Sequence, residues 1–401
     1  MTSIDLGSPD TYVNGVPHAE LRRLRQTEPV SWQPEPQGRG FWAVTRYHDV
    51  LEVLRNPGLY SSWRGGALLA DPPGEFLEKL RENMLNRDPP DHTRLRKLVN
   101  HVFSPKRIGR LERRIEDHAR TLVDSLTGRL ACDFATEIAG QMPLFMICEI
   151  LGVPAEDRVT LHTLTWRMFG SAIEDRAAAF RDGMAAAAEM RAYGSELARR
   201  RRAHPEEDLV SDLVAAEVDG RRLTEGELES FFMLLFNAGS DTTRSLLCHG
   251  LDLMLDHRDD LERLRTDPSL LPAAIEEMLR FEPAVLQFRR TATSACRLGG
   301  QDIAEGDKVV VFFPSANRDE AVFHDPDRFD ITRSPNPHLA FGHGTHFCLG
   351  APLARMESRY MFREVLTRLE GIDRGGPLVS TRSNFIRSVR AQPITFRRVA
   401  S

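Results

Sequence analysis

Cysteine is scarce and scattered in this chain. There are five, Cys132, Cys148, Cys248, Cys296 and Cys348, and none forms a Cys-x-x-Cys pair. That spacing argues against a disulfide framework and leaves zinc or an iron–sulfur cluster without a ligand set. Long apolar runs are missing as well; nothing approaches the roughly 18 residues of a membrane span. The opening Met1-Thr-Ser-Ile-Asp-Leu-Gly-Ser-Pro-Asp10 has neither a basic start nor an apolar core. No secretory leader or membrane anchor is expected from it, and the expected compartment is the cytoplasm. No G-x-G-x-x-G follows a strand pattern and no G-x-S-x-G occurs, which removes a resident flavin or nicotinamide site and a serine-hydrolase nucleophile. A net charge of −5 argues against a nucleic-acid binder. The composition, 41% hydrophobic and 28% charged over 401 residues, is that of a globular protein, and no repeat or linker divides it.

What the chain does contain is Phe341-Gly-His-Gly-Thr-His-Phe-Cys348-Leu-Gly350. Gly342, Gly344 and Gly350 let a backbone bend sharply or approach a flat ligand. The run Ala351-Pro-Leu-Ala-Arg-Met-Glu357 then reads as the first turns of a helix, where Pro352 is tolerated. Cys348 therefore precedes a helix N-terminus, whose N–H groups and dipole favour a thiolate. A single thiolate suits haem iron, because the porphyrin supplies the other four donors.

The patterning elsewhere predicts helices over 17–28, 47–55, 107–126, 137–150, 157–170, 175–203 and 207–218. Strands are predicted at 40–45, pairing near Val30, and at 295–298, 308–313 and 394–396. Residues 1–16 read as a loosely ordered lead-in. The stretch 58–86 mixes apolar residues with Gly65-Gly66 and Pro72-Pro73-Gly74, the composition of a lid or binding loop. Thr224-Glu-Gly-Glu227 is a capping box opening a helix that continues to about Asp256, some 32 residues or roughly 48 Å. Its middle, Phe236–Thr243, is rich in poor helix formers, which predicts a bend and a groove there. Small Ala238 and Gly239 would admit a flat group, while Asp241 and Thr242 supply the carboxylate and hydroxyl of a proton relay. A plain surface pair between Asp241 and Arg244 is the alternative. His92 and Arg96 share one helical face, as do Glu277 and Arg280.

Phe341-x-x-Gly344-x-His346-x-Cys348-x-Gly350 resembles the cysteine-ligand loop of the cytochrome P450 family, with His where arginine is usual. The resemblance runs from about residue 17 to the end and implies one domain, 1–401, mainly α with a small β-rich portion. Haem b would lie between the long central helix and the cysteine loop. Cys348 becomes its ligand, His92, Arg96, Arg290 and His346 its propionate contacts, and Ala238, Gly239, Phe341, Gly344 and Gly350 its bed. The family's acid–alcohol pair falls on Asp241 and Thr242, and its structural network on Glu277, Arg280 and Arg328. Substrate would meet Trp63, Leu69, Leu77, Trp166, Phe169, Leu235, Val285, Leu286, Gln287 and Phe385. The implied activity is a dioxygen-dependent monooxygenase hydroxylating a terpene, sterol, fatty acyl or polyketide, in secondary metabolism. Oxidative coupling, cyclisation or desaturation is the alternative outcome, and a gas-binding haem protein a third. Electrons would come from NAD(P)H through ferredoxin reductase and ferredoxin. The basic run 94–114 and the stripe Arg355, Arg359, Arg363 would attract that acidic donor to a monomeric enzyme.

Overall fold

The computed structural model describes residues 4–399 except 37, 73, 101–102, 170–175 and 219. Its axis is the helix Glu225–Asp256. The capping box forms as read: Glu227 N–H donates to Thr224 Oγ1 (3.1 Å) and Thr224 N–H to the Glu227 carboxylate (3.0 Å). The same carboxylate accepts from Arg94 at 2.5 Å, which ties the helix Asp91–Asn100 to the start of the central one. The helix runs unbroken through Phe236–Thr243, as the continuous 32-residue reading expects. Thr242 and Ser245 satisfy their hydroxyls on the carbonyls four residues back, at 2.6 and 2.7 Å, within the helical ladder.

Helices Gln141–Leu151, Arg176–Ala203, Leu271–Phe281 and Ala351–Arg368 pack around this axis. Close approach is possible because Gly250 has no side chain; a Cβ there would lie 2.8 Å from both Met278 Sδ and Phe362 Cζ. The helix predicted over 137–150 is preceded by a wider π-type turn, Ala135–Ala139. The one predicted over 207–218 ends at Ala215 and gives way to a small hairpin, Glu217–Val218 with Arg221–Arg222.

Five strands form the main sheet, in the order Val30–Gln33, Phe41–Val44, Lys308–Phe312, Gln287–Ala292, Tyr60–Ser61. Phe41–Val44 runs antiparallel to Val30–Gln33 and parallel to Lys308–Phe312, with Trp42 opposite Val309. Lys308–Phe312 is buried along its whole length, as a continuous Val-Val-Val-Phe run demands. A second sheet places Pro393–Arg398 between Leu369–Arg374 and Ala131–Asp133; only its closing strand was legible in the sequence.

Among its described residues the lead-in is packed where a loosely ordered segment was expected. Leu6 and Tyr12 are buried against Leu21, Leu24 and Phe41, and Tyr12 donates to the Leu6 carbonyl at 3.0 Å. Two apolar side chains on a short segment suffice to pin it. Within 58–86 the chain forms the strand Tyr60–Ser61, the helix Gly74–Leu80 and a turn at Met84–Asn86.

Candidate active site

The cysteine loop is shaped by Gly342 and Gly344, at φ +69° and +68°. A Cβ on Gly344 would also sit 2.6 Å from the Leu54 carbonyl, so this glycine lets the loop rest on the helix Tyr47–Arg55. Cys348 N–H donates to the Phe341 carbonyl at 2.9 Å, closing the loop. The Arg355 guanidinium covers the Phe341 ring at 4.7 Å. N–H groups of Gly350 and Ala351 point at the Cys348 sulfur, as a helix N-terminus should. Burial nevertheless pushes the thiol up, and those N–H groups with the Arg96 and Arg355 charges only partly pull it back. A metal bound at that sulfur would hold it as the thiolate.

Beside the loop, four side chains from three segments converge. His92 is 1% exposed, its ring 4.3 Å from that of His346, and neither of its nitrogens has a hydrogen-bond partner among the described residues. Arg290 is buried and donates to the Arg289 carbonyl (2.7 Å), and Arg96 donates to Asn100 (2.9 Å). Among the described residues neither arginine has a carboxylate partner. Asp88, the nearby acid, is committed to Ser61 and to the Ser62 N–H. Burial, with the neighbouring positive charges, holds His92 down to about 4 and His346 well below its usual range. Burial also lowers Arg290 to about 10. Buried donors without an acceptor are costly unless an anion completes them. The cluster fits the carboxylates of a haem, which would supply the acceptors that His92 lacks.

On the central helix, Ala238 is exposed while Phe236 before it and Thr243 after it are buried. One turn therefore faces an open volume, and Thr242 lies on it. Gly239 does not face that volume: its Cβ position is 3.0 Å from Ile147 Cδ1, so it serves the packing of Gln141–Leu151. Asp241 pairs with Arg244, but not at the surface; the side chains are 16% and 11% exposed, and Ser388 holds the other carboxylate oxygen.

Glu277 and Arg280 form a fully buried bidentate pair at 2.7 Å. Its third side chain is Arg333, 3.1 Å from both Glu277 oxygens, with Asn336 and the Asp330 N–H completing the shell. Arg328 corrects the sequence reading: its side chain is exposed and it contributes only a backbone carbonyl, accepting from Arg280 at 3.2 Å.

Val285, Gln287 and Phe385 do come together. Val285 bridges Ile386, Leu286 N–H donates to the Phe385 carbonyl at 2.8 Å, and the Phe385 ring meets Phe288 at 5.4 Å. Gln287 donates to the Asn384 carbonyl at 3.0 Å. Leu286 itself is fully buried among Leu6, Phe41 and Phe312, with Leu69 against the same cluster, which is core rather than site wall. The Trp63 ring is covered by Arg81 at 4.5 Å. Leu235 is buried in the helical core and Leu77 is half-buried on its short helix. The side chains of Trp166 and Phe169 lie outside the described residues.

The arginine stripe is not free. Arg355 binds Glu276 at 2.6 and 2.7 Å, Arg359 binds Glu112 and Arg363 binds Glu116, each at 2.7 Å. These are struts between helices, and the sequence missed them because the acids lie on other helices. It also missed Glu357, 2% exposed and touching Thr243. Burial raises that carboxyl to about 8, so it stays protonated near neutrality. A glutamate among surface-like arginines carried no signal of this. Among the described residues no helix is long and apolar enough to cross a membrane.

The family model for cytochrome P450 matches residues 11–377. A methyl-branched lipid omega-hydroxylase of Mycobacterium bovis is 37% identical over 99% of this chain and 95% of its own length. A steroid C26-monooxygenase of Rhodococcus jostii is 35% identical over 98% and 84%. Among solved structures, cytochrome P450 CYP268A2 of Mycobacterium marinum in complex with pseudoionone superposes with a TM-score of 0.87, at 38% identity over 94% of both chains. The helical frame, the cysteine loop and these likenesses agree: the chain belongs to the cytochrome P450 family, as one of its monooxygenases.

Proposed function

We propose that Cys348 would supply the thiolate that holds haem b and that the enzyme hydroxylates a lipophilic small molecule of lipid, steroid or terpene type. The observation that carries the cofactor part is His92, buried with neither ring nitrogen partnered among the described residues and grouped with Arg96, Arg290 and His346, beside a single cysteine at a helix N-terminus. None of the four has a carboxylate partner among the described residues. Bound haem would supply dioxygen activation and the oxidation of an unactivated C–H bond. The chain's own residues would do the rest. His92, Arg96, Arg290 and His346 would bind the propionates and set the plane. Val285 and Phe385 would orient the substrate over the Ala238 turn. Asp241 would exchange protons with solvent, and Thr242 would pass them toward the open face. The substrate class follows the names of the relatives and the apolar character of the residues nearby.

Electrons would arrive from NAD(P)H through ferredoxin reductase and ferredoxin. With the arginine stripe committed, Lys97, Lys106 and Arg113, exposed and without acidic partners among the described residues, remain to steer an acidic donor. Cys348→Ala should abolish the red-shifted Soret band of the ferrous carbon monoxide adduct; a retained band would remove Cys348 as ligand. With labelled dioxygen, one labelled oxygen atom is expected in the product, and an unlabelled product would favour coupling or desaturation. Titration with methyl-branched lipids, steroids and terpenes, followed by the ferric spectrum, would identify the class.

A further inference from the structure

The Asp241 carboxylate is fully engaged, and not with Thr242. Arg244, one turn on, holds Oδ1; the Ser388 hydroxyl donates to Oδ2. Ser388 Oγ also accepts from Arg244 at 2.9 Å, which closes a three-membered ring of contacts. A serine hydroxyl has one proton to give and lone pairs to receive, so this geometry suits an ionised carboxylate on one side and a guanidinium on the other. Ser388 is itself 4% exposed, and its carbonyl is pinned by the Thr381 N–H at 2.8 Å. His162, the titratable neighbour of Arg244 from the helix Arg158–Phe169, is pushed down by burial and by that arginine's charge, so it brings little competing charge.

Ser388 belongs to the turn that carries Phe385 and Ile386. That turn is stitched to the central helix further along, through His249 to the Arg387 carbonyl at 3.1 Å and Gln392 to the Cys248 carbonyl at 3.0 Å. It is stitched on its other side to Ala284, Val285 and Leu286. Anything that displaces Phe385 or Ile386 must therefore pull on Ser388, three or two residues away.

Resting on the proton-relay reading above, we propose that Ser388 is a positioning residue which latches the Asp241 carboxylate away from Thr242. It thereby makes proton delivery depend on the turn that bears Phe385. Substrate pressing on the turn loosens the Ser388 contact, and the Asp241 carboxylate can then swing, take a proton from solvent and pass it toward the open face. Without substrate the latch keeps the acid out of use.

The test uses the haem-loaded enzyme supplied with electrons by a ferredoxin and its reductase, with and without pseudoionone as probe lipophile. In Ser388→Ala, substrate-free dioxygen consumption should rise by roughly tenfold, the population shift that one charge-assisted hydrogen bond carries. The ratio of rates in H2O and D2O should change with it, a readout that loosened packing alone would not move. Ser388→Val should behave like the alanine variant, and Ser388→Thr, of the same shape with the hydroxyl restored, like the native enzyme. That pair keeps the test valid if the alanine variant takes up little haem. Placed in an Asp241→Asn background, the Ser388 changes should add nothing. Unchanged consumption and isotope ratio in both Ser388→Ala and Ser388→Val, or an equal rise in the Asp241→Asn background, would overturn the latch. If Asp241→Asn alone leaves consumption and isotope ratio untouched, it is the relay reading that fails, and the latch falls with it.

Discussion

Two sets of arginines flank the cysteine loop, and they differ in what balances them. Arg355, Arg359 and Arg363 are part-exposed, and each grips a glutamate supplied by another helix. Arg290 and Arg96 stand with His92 and His346, the first buried and neither arginine with a carboxylate among the described residues. Counting arginines would rate the first set as the functional one. Counting arginines that lack a carboxylate reverses that order. A paired cation on the surface is a strut, whereas a buried unpaired one is half of a binding site.

The largest effect should come from the extreme of the paired kind. Glu277→Ala leaves the buried Arg280 charge facing only backbone carbonyls and Arg333 unbalanced, and should cost about 3–5 kcal/mol in denaturant unfolding. A loss under about 1 kcal/mol would show that the pair is replaceable by water. Next is the unpaired kind. Arg290→Met should leave the haem-free protein as stable as the native chain or more so, because an uncompensated buried charge is removed. It should speed haem loss by roughly 10- to 100-fold, the worth of a hydrogen bond to a charged group. Haem transfer to an acceptor protein measures this, and an unchanged rate would erase the distinction between the two sets.

Glu357 sharpens the comparison from the acidic side, as a buried carboxyl without a cation partner among the described residues. Its folded value, about 8, lies above the ordinary 4.5, so the folded state binds the extra proton. Its contribution is complete below about pH 4.5 and is lost as pH rises through about 8. Thermal unfolding of the native chain should therefore lose ground against Glu357→Gln across that window. Parallel curves would place Glu357 in contact with water or a cation. The smallest effect belongs to Arg359→Ala, a half-exposed strut worth under about 1 kcal/mol in the same thermal measurement.

Much of this is legible in the sequence where the signal is local. The capping box at Thr224 sets the start of the central helix, and apolar periodicity sets Tyr47–Arg55. Cys348 declares itself by its glycines and the helix behind it. Long-range pairings are not legible. Nothing near Asp241 points to Ser388, which lies 147 residues away, and nothing in Pro326-Asp-Arg-Phe329 distinguishes Arg328 from Arg333 as partner to Glu277. Tertiary packing also overrides propensity: Phe236–Thr243 stays helical because neighbouring helices bury the residues on both sides of it.

The main sheet has a consequence for biosynthesis. Trp42 pairs in parallel with Val309, on a strand made only after most of the chain has left the ribosome. At about 5–20 residues per second, the hairpin Val30–Val44 waits on the order of tens of seconds for its neighbour. During that interval Phe41–Val44 presents an unpaired, apolar edge in the nascent polypeptide. Expression yield should therefore respond to translation speed and chaperone supply through this one edge.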